Sequence, residues 1–169
     1  MDAARPALIM VLGVSVALTA CAVSPEAASR RQENEAEIKL ILSEPVDSAA
    51  HGEPRRCLSE NELRNFEALD DRRIVFEGRR GKLWLNTLHA TCPDLEYARV
   101  LQVRSISFTR ICAMDRFLPS DWFYWPWYRR WPWSYERGWG MAMSCTLGEF
   151  QPVTEEQVAE IKAVLRARR

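Results

Sequence analysis

The clearest periodicity lies at the end of the chain. Val158, Ile161, Val164 and Leu165 recur at helical spacing and line one face. Thr154 stands at the N-cap with Gln157 three residues on, a capping-box pattern, and Val153 with Val158 forms a hydrophobic staple. Glu155 and Glu156 in the first turn, and Arg166, Arg168 and Arg169 in the last, complement the helix dipole. The pattern predicts a C-terminal helix that closes one face of a sheet.

Upstream the period changes to two. Arg73-Ile74-Val75-Phe76 is rich in strand formers, Lys82 to Leu88 alternates in part, and Gly78 and Gly81 frame a turn, which together predict a β-hairpin. A third strand is expected over Val103 to Thr109, where Ile106 and Phe108 alternate. A fourth is expected over Ile111 to Leu118, with Met114 and Phe117, and strand character returns over Met141 to Leu147. Ser59 followed by Glu62, with Leu63 and Phe66 beyond, reads as a capped short helix over 60–68. The expected fold class is α+β. It is a small antiparallel, strand-rich domain over 57–169, with a short N-terminal helix and a C-terminal helix packed on the sheet.

The first twenty residues read as a lipoprotein signal peptide. The apolar run ALIMVLGVSVALTA is about fourteen residues, short of the roughly twenty that a membrane span needs. It closes as Leu18-Thr19-Ala20-Cys21, which resembles the bacterial lipoprotein signal. The resemblance implies cleavage before Cys21 and attachment of fatty acyl chains such as palmitate to that cysteine. With Ala22 rather than Asp next, it also implies export to the outer membrane, facing the periplasm. The protein would then be anchored to the membrane rather than spanning it. Residues 21–56 have linker composition and are expected to form a flexible, lipid-anchored tether, reaching about 30–35 Å as a coil. Within it, EAEIKLILSEP has the pattern of a short amphipathic helix stopped by Pro45.

Export also sets the reading of sulfur. Apart from Cys21, the chain holds Cys57, Cys92, Cys112 and Cys145. In an oxidising compartment an even set of this kind predicts two disulfides, with three connectivities open. There is no C-x-x-C, no H-x-x-x-H, and only His51 and His89 to assist, so neither a metal nor a cofactor is expected. Twenty-three basic side chains balance 23 acidic ones. That leaves no overall basic field for nucleic acid, which is not an expected partner.

Signals for catalysis are sparse. Asp70 and Asp71 are adjacent and would point to opposite faces of a strand. His89 lies near Cys92, yet a Cys-His nucleophile needs that thiol free. The chain has no nucleophile elbow, phosphate loop or dinucleotide fingerprint. An enzyme with an unrecognised site near residues 70–73 and 89 is the alternative to a non-enzymatic reading. Arg72, Arg73, Arg79, Arg80 and Lys82 read as one basic hairpin end, either a solvated turn or a patch for anionic polymer or lipid headgroups.

The segment most in need of explanation is DWFYWPWYRRWPWSYERGWG, residues 121–140. It holds six of the seven tryptophans, Phe123 and three of the four tyrosines. Pro126, Pro132, Gly138 and Gly140 rule out a regular helix or a central strand, so the segment reads as a long loop between two strands. One reading is a flap that packs on its own domain. The other is a binding surface for a membrane interface, a glycan or an envelope protein, carried by Trp122, Trp125, Trp127, Tyr128, Arg129, Arg130, Trp131 and Trp133.

Across residues 57–153, Cys57-Leu58, LDDRRIVFEG, KLWLNTL, TCPDL, RICAMD and SCTLGEFQPV resemble a family of small bacterial envelope lipoproteins classed as a domain of unknown function. The resemblance takes in all four remaining cysteines in order. It implies one compact, disulfide-bearing, strand-rich domain and carries no known activity. The Trp-rich insertion departs from the family pattern and reads as an elaboration on the shared core.

Overall fold

In the computed structural model, which describes residues 24–104, 109–120 and 144–167, the RIVF run forms the centre of the molecule. It lies in strand β3 (Arg73–Gly78), which pairs antiparallel with β4 (Leu83–Thr87) as the expected hairpin. Arg80 (φ 62°) and Gly81 (φ 70°) turn the chain in left-handed conformations. Gly78 is required for packing: a Cβ there would lie 2.3 Å from the Trp84 ring. Strands β2 (Leu63–Ala68) and β9 (Phe150–Val153) flank the hairpin, completing a four-stranded antiparallel sheet in the order β2-β3-β4-β9.

Both faces of this sheet are covered, so its central strand is apolar on both sides. Ile74, Phe76, Trp84 and Phe150 point to one face, where Phe76 and Phe150 meet edge to face with centroids 5.4 Å apart. There they pack with Leu101, Val103 and Phe117 of a second sheet, β5-β7-β8 (Val100–Arg104, Arg116–Ser120, Cys145–Thr146), and with Leu58 and Ile111 of the ribbon β1-β6 (Cys57–Ser59, Arg110–Cys112). On the other face Val75, Leu85 and Val153 pack with Ile38 of helix α1 (Pro25–Ser43) and with Val158, Ile161 and Val164 of helix α3 (Glu155–Ala167). The α+β class and the helix-covered sheet are thus as expected. So is the capping box of α3: the Gln157 N–H donates to Thr154 Oγ1 and the Thr154 N–H to Gln157 Oε1, each at 3.1 Å.

Two disulfides cross-link the domain, Cys57–Cys112 and Cys92–Cys145, which selects one of the three connectivities. The first is a rung of the β1-β6 ribbon, because Cys57 and Cys112 stand directly opposite each other.

Four expectations are corrected. The helix expected over 60–68 is a single 3-10 turn, Glu60–Glu62, followed by strand β2. The capping contact forms, with the Ser59 N–H donating to Glu62 Oε2 at 3.4 Å. The three-residue spacing of Leu63 and Phe66 comes from a β-bulge, however. Leu63 opposes Gly78 and Phe66 opposes Phe76, so one extra residue on β2 brings both side chains to the same face. The strand expected over 111–118 is broken into β6 and β7 by a turn in which Met114 takes φ 74° and is 61% exposed. Asp115 stabilises this turn, its carboxylate accepting from the Cys112 N–H at 2.8 Å. Replacing Met114 with glycine removes the left-handed cost of a side chain that packs on little. The expected gain is about 0.5–1 kcal/mol of stability, read as a raised urea midpoint.

The third correction is to the strand over 103–109. β5 begins earlier, at Val100, and residues 105–108 lie outside those described. The fourth is to the tether. Residues 25–43 form a continuous helix with Ser24 as N-cap, followed by the short helix α2 (Ser48–His51), and α1 docks on the sheet and on α3. The EIKLIL island is the part that docks: Ile38 is buried, Ile41 and Leu42 are half-buried, and helix formation extends N-terminally from it.

Candidate functional site

The docking of α1 creates the most concentrated electrostatics in the described residues. Arg73 opens β3 on the same face as Val75, and its side chain is only 4% exposed. Its Nη1 donates to Asp70 Oδ2 at 2.6 Å, and its Nη2 donates to Glu35 Oε2 of α1. Asp70 is held in turn by the Arg72 N–H, which donates to its Oδ1 at 2.8 Å. Burial works against the Arg73 charge, and Asp70 and Glu35 more than offset it, so the guanidinium pKa lies above its ordinary value. Two glutamines complete the attachment. Gln157 Nε2 donates to the Ile41 carbonyl at 3.0 Å and Gln151 Nε2 to the Leu42 carbonyl at 3.3 Å.

This geometry reassigns the residues singled out for chemistry. Arg73, held by Asp70 and bonded to Glu35 of α1, forms a clasp between sheet and helix, and the guanidinium is closed off by α1 rather than facing a cleft. Asp71 contributes its carbonyl, which accepts the Cys92 N–H at 2.7 Å. His89 is exposed in the β4–β5 loop, and Cys92 is bonded to Cys145, so the thiol that a Cys-His pair would need is already consumed. The basic hairpin end is likewise divided. Arg72 and Arg73 stand at the start of β3, while Arg79, Arg80 and Lys82 stand at the turn after its far end, about 17 Å along a six-residue strand. Among the described residues, no group of three or more His, Cys, Asp or Glu side chains is placed to hold a metal ion. Among the same residues no helix is long and apolar enough to cross a membrane.

The aromatic candidates Trp122, Trp125, Trp127, Tyr128, Arg129, Arg130, Trp131 and Trp133 lie outside the described residues, as does Cys21. What is described is the frame that carries the insertion. β7 ends at Ser120, and β8, its antiparallel neighbour, begins at Cys145, with Phe117 opposite Cys145. The insertion therefore connects two adjacent strands of one sheet. Its departure point is held by the Arg99 N–H, which donates to the Ser120 carbonyl at 2.8 Å. Two residues before Arg99, Tyr97 is 76% exposed. The return point is fixed by the Cys92–Cys145 bond and by a second device that sequence reasoning missed. The fully buried Asn86 amide donates to the Gly148 carbonyl at 2.7 Å and accepts from the Gly148 N–H at 2.9 Å. A Cβ on Gly148 would lie 2.0 Å from the Thr87 carbonyl oxygen, which explains the glycine in CTLGEF.

A shallow groove of about 270 Å3 runs between α3 and the β2–β3 edge. Val75, Val158 and Ala159 line it, with Glu67, Glu77 and Glu155 among its charged residues. Lys162 bonds Glu67 across it at 2.7 Å. Its charges come from positions 67, 77, 155 and 162, a combination with no local sequence signature.

These features define a small α+β domain with two interleaved disulfides and a helix-covered antiparallel sheet, bearing a long insertion between neighbouring strands. The chain belongs to the family described as "Family of unknown function (DUF6491)", whose model matches residues 4–169. No curated protein and no solved structure matches the chain.

Proposed function

We propose that the protein is a bacterial envelope lipoprotein that works as a non-enzymatic binding module. Residues 1–20 are removed as a signal peptide, Cys21 carries the acyl chains, and the domain sits at the outer membrane facing the periplasm. The aromatic segment 121–140 is the binding element, and an envelope protein or a glycan strand is its partner. The observation that carries this reading is the framing of the insertion: ten aromatic residues are held between adjacent antiparallel strands, with the Cys92–Cys145 disulfide at the return point. Binding energy at interfaces is concentrated in tryptophan, tyrosine and arginine, the residue types gathered here. The LTAC ending and the even number of remaining cysteines support the compartment.

Replacing residues 121–140 with a short Gly-Ser turn tests the reading, since β7 and β8 are adjacent and a tight connection suffices. The expected outcome is a folded acylated protein that no longer retains envelope partners or cell-wall sacculi in a pull-down. An unchanged set of partners, or a domain that fails to fold without the segment, would refute the binding role. Mass spectrometry of the native protein checks the anchor, and an unmodified N-terminal methionine would refute it.

A further inference from the structure

The docking of α1 has a directional consequence, which rests on the acylation of Cys21 proposed above. Helix α1 begins at Pro25, so the anchor is four residues from it, at most about 14 Å of extended chain. Ile38 is the one buried residue of α1, and Glu35 reaches Arg73. The ten residues Pro25 to Asn34 precede the clasp and add about 15 Å of helix. None of them is buried, and only Ala27 and Asn34 are half-buried.

The direction of α1 across the domain follows from its contacts. Glu35 meets Arg73 at the start of β3, where Arg73 pairs with Thr87 at the end of β4. The last turn of α1, at Ile41, meets the first turn of α3, at Gln157. The two helices pack side by side and therefore run in opposite directions. α3 starts beside the end of β9, where Val153 pairs with Leu83 just after the β3–β4 turn, and Lys162 further along reaches Glu67, which pairs with Val75 in mid-strand. Its C-terminal end, at Arg166, thus returns to the Arg73 pole.

We infer that α1 is a docked stalk that fixes the orientation of the domain on the bilayer. The pole formed by the β2–β3 turn, the β4–β5 loop and the C-terminal end of α3 faces the lipid surface. The opposite pole, with the turn at Arg79, Arg80 and Lys82 and the groove beside Glu155, faces the aqueous compartment. The lipid surface meets the pole carrying Asp71, Arg72, His89 and Arg166, and any soluble partner meets the other.

Energy transfer to headgroup acceptors in proteoliposomes of the acylated full-length protein tests this. A fluorescent amino acid is placed at position 166 in one sample and at position 80 in another, leaving the disulfides intact. The stalk gives several-fold stronger transfer from 166 than from 80. Equal transfer from the two positions, as a flexible leash would give, or stronger transfer from 80, overturns the inference. In the variant E35K/I38D, which breaks the clasp and the buried contact, the two efficiencies converge. A contrast that persists there shows the orientation does not come from α1 and also overturns it. Mass spectrometry of the same samples separates the two levels. An acylated protein without the contrast refutes the stalk alone, whereas an unacylated Cys21 refutes both the stalk and the anchoring beneath it.

Discussion

Replacing Arg73 with methionine is expected to lower the unfolding free energy by about 3–5 kcal/mol, the range for breaking a buried ion pair by removing one partner. The cost falls mainly on Asp70. Its carboxylate is buried (9% exposed) and would keep only the Arg72 N–H as a hydrogen-bond donor in the clasp. Glu35 is 46% exposed and can turn to water, so it adds little. Urea denaturation of the folded domain provides the measurement, and the midpoint should fall with little change in slope. The double variant R73M/D70L should recover most of the loss, since apolar residues of similar volume can replace a buried pair at small cost. A double variant no better than R73M would show that the clasp is valued for the register of α1 and not for cancelling charge.

The second large effect is expected from breaking the Cys92–Cys145 bond. Its sequence separation is 53 residues, and a closed loop of that size restricts the unfolded chain by about 4 kcal/mol in the chain-entropy description. The variant C92S/C145S should lose a comparable amount and unfold at a markedly lower temperature. The Cys57–Cys112 bond closes a similar span of 55 residues, and the two spans overlap between 92 and 112. Removing both should therefore cost slightly more than the sum of the single losses, because while either bond remains it shortens the loop that the other closes. Thermal melts of the four redox variants would show this, and strict additivity would mean that the two loops constrain the unfolded chain independently.

The parts of the fold legible in the sequence are those built from local rules. The β3–β4 hairpin is announced by a strand-forming run and two framing glycines, and α3 by a capping box and a four-residue apolar stripe. The parts that were misread depend on something outside the window. Leu63 and Phe66 look helical because a bulge and a helical turn both bring residues three apart to one side, and only the pairing with Gly78 and Phe76 decides between them. Residues 25–34 are polar on every side and have a linker's composition. Their helix propagates from the docked turn around Ile38, whose partners lie on the sheet from Leu69 onward and, more than 100 residues away, in α3. The same distance hides the clasp, where Glu35 and Arg73 are 38 residues apart, and the Asn86–Gly148 contact, which bridges 62. The four cysteines were countable from the start, and their pairing needed the register of β1 with β6 and the position of the β4–β5 loop beside β8.

The amide of Asn86 grips the chain only after the insertion has ended, and Phe150, two residues beyond Gly148, already lies in register against Asn86 in β4. Everything between Ser120 and Ser144 can consequently grow, shrink or be exchanged without shifting a single rung of the four-stranded sheet. Each doubling of such a loop adds only about 0.6 kcal/mol in closure entropy. The scaffold thus leaves its most aromatic stretch free to vary in length and composition while the body beneath it keeps the same architecture.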